Sequence, residues 1–110
     1  MSLNKFVDFG KIDADGNSSY VRSLAYYDGY IYAGLGVTGS VYKINANDPS
    51  DKGNITKNVP EILNMDNKDI GFAYDMAVAG EYLAVRFNDA AAIVFYDLVY
   101  QLFNLLFVIF

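Results

Sequence analysis

The chain has 110 residues, 54% of them hydrophobic, and a formal net charge of −5. A chain of this length can bury one modest core, so we expect one domain or part of one. The acidic balance argues against a nucleic-acid partner, because such a partner requires a basic face.

Two residue types that are missing from the chain exclude several kinds of chemistry. There is no Cys and no His, which excludes disulfides, thiolate zinc sites and any catalytic triad built on a His base. Ten Tyr and eight Phe residues favour strands, since aromatic side chains suit a pleated surface. We therefore expect an antiparallel all-β chain, without a cofactor unless calcium binds as described below.

The start of the chain carries three different patterns. Residues 1–4 are typical of a cloning remnant or a disordered start. Residues 5–12, KFVDFGKI, alternate in part and predict a strand. Residues 13–19, DADGNSS, are a cluster of turn-forming residues.

The first clear unit is organised around an Asp-Gly pair at positions 28 and 29. Strands are predicted on both sides of the pair, over residues 21–27 and 30–35, because a two-residue Asp-Gly loop is a strong hairpin signal. A third strand is predicted over residues 40–45, SVYKIN, where the side chains alternate between two faces.

The next segment is the most polar part of the chain. Residues 47–58, NDPSDKGNITKN, predict an exposed loop. Val59–Leu63 is predicted as a short fourth strand, with Pro60 placing it at a sheet edge or a strand start. Residues 65–69 predict another loop.

The pattern of the first unit repeats 52 residues later. Residues 72–98 align with residues 20–46 without a gap, and the apolar positions and both turns are kept, although Gly-Glu replaces Asp-Gly at the first turn. This similarity predicts two units of about four strands each, at residues 5–58 and 59–98.

The last twelve residues depart from the repeat. Residues 99–110, VYQLFNLLFVIF, are apolar where the first unit is polar. A membrane-spanning helix needs about 20 apolar residues, so the segment is too short for one. Composition favours a buried strand, although Phe103, Leu106, Phe107 and Phe110 would share one face of a helix. We interpret the segment as an apolar strand that reflects oligomerisation or a truncated reading frame.

Four segments resemble the second and third strands of β-propeller blades. They are YDGYIYAG followed by GSVYKINA, and GEYLAVRF followed by AIVFYDL. The resemblance is to the broad group of quinoprotein-like, YVTN-like and WD40-like propellers, and it covers about two blades over residues 5–98. The Trp-Asp and Gly-His pairs of WD40 repeats are missing, so no catalytic or cofactor residue is carried over.

The resemblance also bears on assembly. A propeller ring usually has about four to eight blades, and two cannot close one. We therefore expect either self-association or the missing blades of a larger propeller as partners. A small β-sandwich or barrel is the alternative fold.

One acidic turn resembles the beginning of a calcium-binding loop. Asp13, Asp15 and Asn17 supply oxygen ligands, and Gly16 allows a sharp turn. A complete loop also needs a bidentate Glu at position 12, which is Leu24 when counted from Asp13. The motif is therefore incomplete, and an ordinary turn is the competing interpretation.

Tyrosines are the candidate ligand contacts. A tyrosine offers rigid apolar area and a hydroxyl group, which suits recognition of a protein or a glycan. The competing interpretation is that the rings pack between neighbouring sheets. The candidate residues are Tyr26, Tyr27, Tyr30, Tyr32, Tyr74 and Tyr82.

Together these features favour a non-catalytic binding or interaction module of an extracytoplasmic, β-propeller-like protein. The alternative is a fragment of a propeller hydrolase or oxidoreductase whose catalytic residues lie outside this chain. A purely structural role in assembly is a third interpretation.

Overall fold

The structure is a computed structural model that describes residues 21–36, 39–66, 69–90 and 92–109, the last eight of these by their backbone alone. The strand predicted over residues 5–12 and the acidic turn at 13–19 lie outside this part of the chain.

The described residues form eight strands and one short helix. In chain order these are β1 Val21–Tyr27, β2 Tyr30–Leu35, β3 Val41–Asn45, β4 Asp48–Asn54, α1 Val59–Leu63, β5 Ala73–Ala79, β6 Tyr82–Phe87, β7 Ala92–Asp97 and β8 Leu102–Ile109.

The strands form two antiparallel sheets of four strands each. The first sheet has the order β1-β2-β3-β4 and the second has the order β5-β6-β7-β8, so each strand pairs with its neighbour in sequence. The described strands do not close into a barrel. The prediction of an antiparallel all-β fold is confirmed. The fourth strand of the second sheet, β8, lies in the apolar segment 99–110, which was predicted as a strand, and not in the unit predicted at residues 59–98.

Strand register follows the 52-residue repeat through the first three strands of each sheet. Val21 pairs with Leu35 in the first sheet, and Ala73 pairs with Phe87 in the second. Each first strand also has a β-bulge, located between Val21 and Ser23 in β1 and at the matching place in β5. A shared bulge position is a backbone feature that apolar patterning alone does not produce.

The first turn of each unit has the conformation that its residues allow. Asp28 has a φ of 48° and Gly29 a φ of 84°, as a type I′ hairpin requires at both central positions. In the second unit only the first turn residue, Gly80, has a positive φ, at 62°, as in a type II′ turn. Glu81 is therefore tolerated in the second position.

Two predictions for the segment between the units are wrong. The polar residues expected to form a loop include strand β4, Asp48–Asn54, which pairs with β3 at the edge of the sheet. An edge strand does not need an apolar face, so polarity did not exclude pairing. Val59–Leu63 is helix α1 rather than a strand: Pro60 lies in its first turn and Asn64 ends it with a φ of 53°.

The two sheets pack face to face, and equivalent faces of the two sheets point in the same direction. We call the face of the first sheet that carries Ile31 and Ile44 its front face, and the opposite face, with Tyr32 and Val41, its back face. The matching front face of the second sheet carries residues 83, 85, 94 and 96. The back face of the first sheet packs on the front face of the second, and the main core lies between them.

Helix α1 and a second cluster complete the packing. Val59 and Leu63, one turn apart, both contribute to the main core. A smaller cluster of buried residues lies on the front face of the first sheet and consists of Ala33, Leu35, Tyr42 and Ile44.

Close backbone contact joins β1 and β2 to β5. The Ser23 hydroxyl donates a hydrogen bond to the Ala73 carbonyl oxygen, at 2.8 Å between the oxygens. A Cβ atom at Gly34 would lie 2.8 Å from the same carbonyl oxygen and would overlap the Ser23 hydroxyl. The two sheets therefore approach each other closely where β1 and β2 meet β5.

Candidate functional site

The structure separates the six candidate tyrosines into different environments. Tyr26 and Tyr74 are exposed, whereas Tyr32 is buried and Tyr27, Tyr30 and Tyr82 are half-buried. Tyr27 and Tyr30 pack against the main core, which also contains Tyr32. Tyr26 lies on the front face of the first sheet, where it pairs with Ile31. These residues thus do not form one continuous aromatic surface.

The buried tyrosines form an aromatic cluster between the sheets. The ring centroids of Tyr32 and Tyr96 are 6.3 Å apart, with the ring planes tilted by 56°. Burial, followed by the charge of Tyr96, raises the pKa of Tyr32 to about 12. Burial and the charge of Asp97 also raise the pKa of Tyr96. Both phenols are therefore neutral at physiological pH and serve packing.

A lysine is accommodated beside this cluster. The Lys43 ammonium nitrogen lies 4.1 Å from the centroid of the Tyr30 ring. This is a cation–π contact, and it explains how a charged residue fits on a face that packs against another sheet.

Two arginines lie close to the Tyr74 ring at the surface. The guanidinium carbon of Arg86 is 5.0 Å from the Tyr74 ring centroid, and that of Arg22 is 5.7 Å from it. Arg22 also lies 5.5 Å from the Phe72 ring centroid. The Tyr74 side chain is 41% exposed. We call Arg22, Tyr74 and Arg86 the arginine–tyrosine cluster.

The two β-bulges bring residues of this cluster together. Arg22 is the extra residue of the bulge in β1, and Tyr74 is the extra residue of the bulge in β5, 52 positions later. A bulge turns its extra residue out of the regular alternation. Because β1 and β5 are neighbours, the two bulged residues from different sheets come together, and Arg86 joins them from β6.

The arginine–tyrosine cluster combines two kinds of recognition chemistry. The part of the Tyr74 ring that remains exposed beside the guanidinium groups offers apolar contact area to a ligand. Guanidinium groups bind carboxylates or sulfates through paired hydrogen bonds. The arrangement therefore suits an anionic ligand with an apolar face.

A groove lies on the front face of the first sheet, at the end with the β1–β2 and β3–β4 turns. Its volume is about 630 Å³, which is in the range of small-molecule sites. Leu24 and Tyr26, on its wall, are 61% and 63% exposed. The seven lining residues are Leu24, Ala25, Tyr26, Gly29, Ile31, Ala46 and Asn47.

The calcium hypothesis falls on residues that the structure does not describe. Asp13, Asp15 and Asn17 all precede Val21. Among the described residues, no group of three or more acidic side chains is placed to hold a metal ion. Leu24, at the position where a calcium loop has its Glu, is an exposed residue of β1.

The sequence indicates Tyr74 as a candidate contact, and Arg22 and Arg86 could add polar anchors to it, but single arginines are more often surface charges. Arg22 and Tyr74 occupy equivalent repeat positions, which was visible in the sequence. Their contact was not, because it depends on β1 and β5 being neighbours and on both bulges.

In the described part of the chain, none of the helices is long and apolar enough to cross a bilayer. A scan against protein-family models returned no match. Searches of curated proteins and of solved structures also returned no significant match.

Proposed function

We propose that this chain is a non-catalytic binding module with a β-propeller-like organisation, and that the arginine–tyrosine cluster contacts its ligand. The proposal rests on the exposed Tyr74 ring, whose centroid lies 5.0 Å and 5.7 Å from the guanidinium carbons of Arg86 and Arg22 where the two sheets meet. The ligand is a glycan or a peptide segment that bears carboxylate or sulfate groups.

Charge supports an anionic ligand at this place in spite of the net charge of −5. Two of the eight basic residues of the chain converge on one ring. The attraction between an anionic ligand and these two arginines acts over a few ångströms. It is screened less than the repulsion from acidic residues elsewhere on the surface, since the Debye length at physiological salt is about 8 Å. Binding is therefore expected to weaken, without disappearing, as salt is raised.

The propeller-like organisation is supported by three features of the fold. Each sheet is a four-stranded meander, the two sheets repeat the same register, and they approach each other closely where β1 and β2 meet β5. Blades arranged around an axis have these properties. The partners we propose for the sheets are further blades or further copies of the chain.

An array of acidic and neutral glycans and of acidic peptides, probed with the full chain, tests the ligand proposal. We expect binding to acidic members, reduced about 5- to 30-fold in Tyr74→Ala, because one such contact contributes about 1–2 kcal/mol. Tyr100→Ala is the matched control, since Tyr100 is 76% exposed and lies outside the cluster. Equal loss in both variants, or no binding to acidic members, would contradict the proposal.

A further inference from the structure

The contact between the two sheets is directional. The back face of the first sheet packs on the front face of the second, so two different surfaces meet. Among the described strands, this contact leaves two surfaces without a neighbouring sheet: the turn end of the front face of the first sheet and the back face of the second. A heterologous contact of this type is the kind that repeats between copies, forming rings or open chains.

Part of the groove on the first sheet corresponds to a surface that is covered in the second sheet. Adding 52 to Leu24, Ile31 and Ala46 gives positions 76, 83 and 98. These are Met76, Leu83 and Leu98, which are 8%, 0% and 6% exposed and belong to the main core. Tyr27 and Tyr30 of the first sheet pack against that core. This part of the groove is thus the counterpart of a surface that takes aromatic side chains from a neighbouring sheet.

The back face of the second sheet offers side chains of the same kind. Tyr82 is the repeat counterpart of Tyr30, and its ring meets Phe95 edge to face, with 6.5 Å between centroids and an angle of 82°. Both rings are half-buried and so retain accessible area. Ala79, the counterpart of Tyr27, is exposed beside Tyr82 and leaves room for an approaching surface.

We propose that a second copy of this chain docks head to tail, with its Tyr82 and Phe95 entering the groove between Leu24 and Ile31. This inference rests on the proposed blade-like organisation, because it extends the contact between the two sheets to the next molecule. Leu24, 61% exposed in one copy, becomes covered in the assembly.

The contact is confined to the turn end of the front face. Farther along this face Ala33, Leu35, Tyr42 and Ile44 are already buried. The interface is therefore smaller than the contact between the sheets within one chain, and small interfaces bind weakly. We expect a dissociation constant between about 1 μM and 1 mM, with species larger than a dimer at high concentration.

Two charge-introducing variants test the direction of the contact. Leu24→Glu blocks the groove and Ala79→Glu blocks the back face, and both positions are exposed, so folding is retained. Asn58→Glu adds the same charge at an exposed position whose side chain does not cap α1. Sedimentation velocity from about 10 μM to 1 mM should show growth for the wild type and for Asn58→Glu, and monomers for each blocked variant.

A mixture of the two blocked variants is decisive. Each retains the surface that the other has lost, so the mixture should form a one-to-one dimer that does not grow further. A mixture that stays monomeric, a blocked variant that still self-associates, or a wild type that remains monomeric at about 1 mM would overturn the proposal. None of these results changes the expected array binding, because Tyr74 lies outside the groove and the back-face contact.

Discussion

Replacing Gly34 by alanine is expected to destabilise the protein by about 2–4 kcal/mol. The added methyl group would lie 2.8 Å from the Ala73 carbonyl oxygen and would overlap the Ser23 hydroxyl. Overpacking of this kind costs about 1–3 kcal/mol. Displacing the Ser23 hydroxyl also breaks its hydrogen bond to Ala73, which contributes about 0.5–1.5 kcal/mol.

Urea unfolding of the variant and of a matched control measures this cost. Gly53→Ala, in β4, is the control, because a Cβ atom there meets no other atom within 4 Å. With a slope of about 1–3 kcal/mol per M, the midpoint for Gly34→Ala should fall by about 1 M or more, and that for Gly53→Ala should change little. If the two variants unfold at the same urea concentration, the close approach of the sheets at Gly34 is refuted.

Three further predictions concern other parts of the molecule. Because the pKa of Tyr32 is raised in the fold, its neutral phenol contributes stability that is fully present below pH 10. About 2–3 kcal/mol of unfolding free energy should be lost between pH 10 and 12. Urea titrations over this pH range should show a smaller loss for Tyr32→Phe, and an equal loss would contradict the prediction. Thr56→Val should cost about 1–3 kcal/mol of unfolding free energy, because the buried Thr56 hydroxyl accepts the Val41 N–H at 3.1 Å; Thr56→Ser should retain most of that stability in the same measurement. Calcium at 1 mM should raise the melting temperature by less than about 1 °C, because the loop that starts at Asp13 has Leu24 where its last ligand belongs. A specific site at a calcium concentration of 100 times its dissociation constant would add about 2.7 kcal/mol to the unfolding free energy, and calorimetry would readily detect the higher melting temperature.

The parts of the fold that the sequence predicted are those with a strong local signal. The turn at Asp28 is specified by two residues that tolerate positive φ, and the repeat predicted the second sheet from the first. The side chains of β4 carry no such signal, because this strand forms through backbone pairing with β3. Helix α1 has five residues, about one turn, and so short an apolar segment has no period that distinguishes helix from strand.

The candidate site was less predictable for a physical reason. Tyr74 was visible as an aromatic residue, but the arginines beside its ring come from two strands in two different sheets. The register and bulges that bring Arg22 and Arg86 to it depend on backbone geometry. In the same way, burial of Tyr32 depends on the second sheet, which no local pattern around β2 specifies.

Among the described strands, β4 and β8 each lie at an edge of their sheet, and their sequences give them opposite tendencies to aggregate. In β4, Pro49 lacks a backbone donor, and Asp51 and Lys52 add charge, so the edge resists pairing with another chain. The β8 sequence, LFNLLFVI, has neither proline nor charge, and among the described strands it pairs only with β7. Intermolecular strand addition should therefore begin at β8, and a single lysine introduced there should improve solubility more than any change in β4.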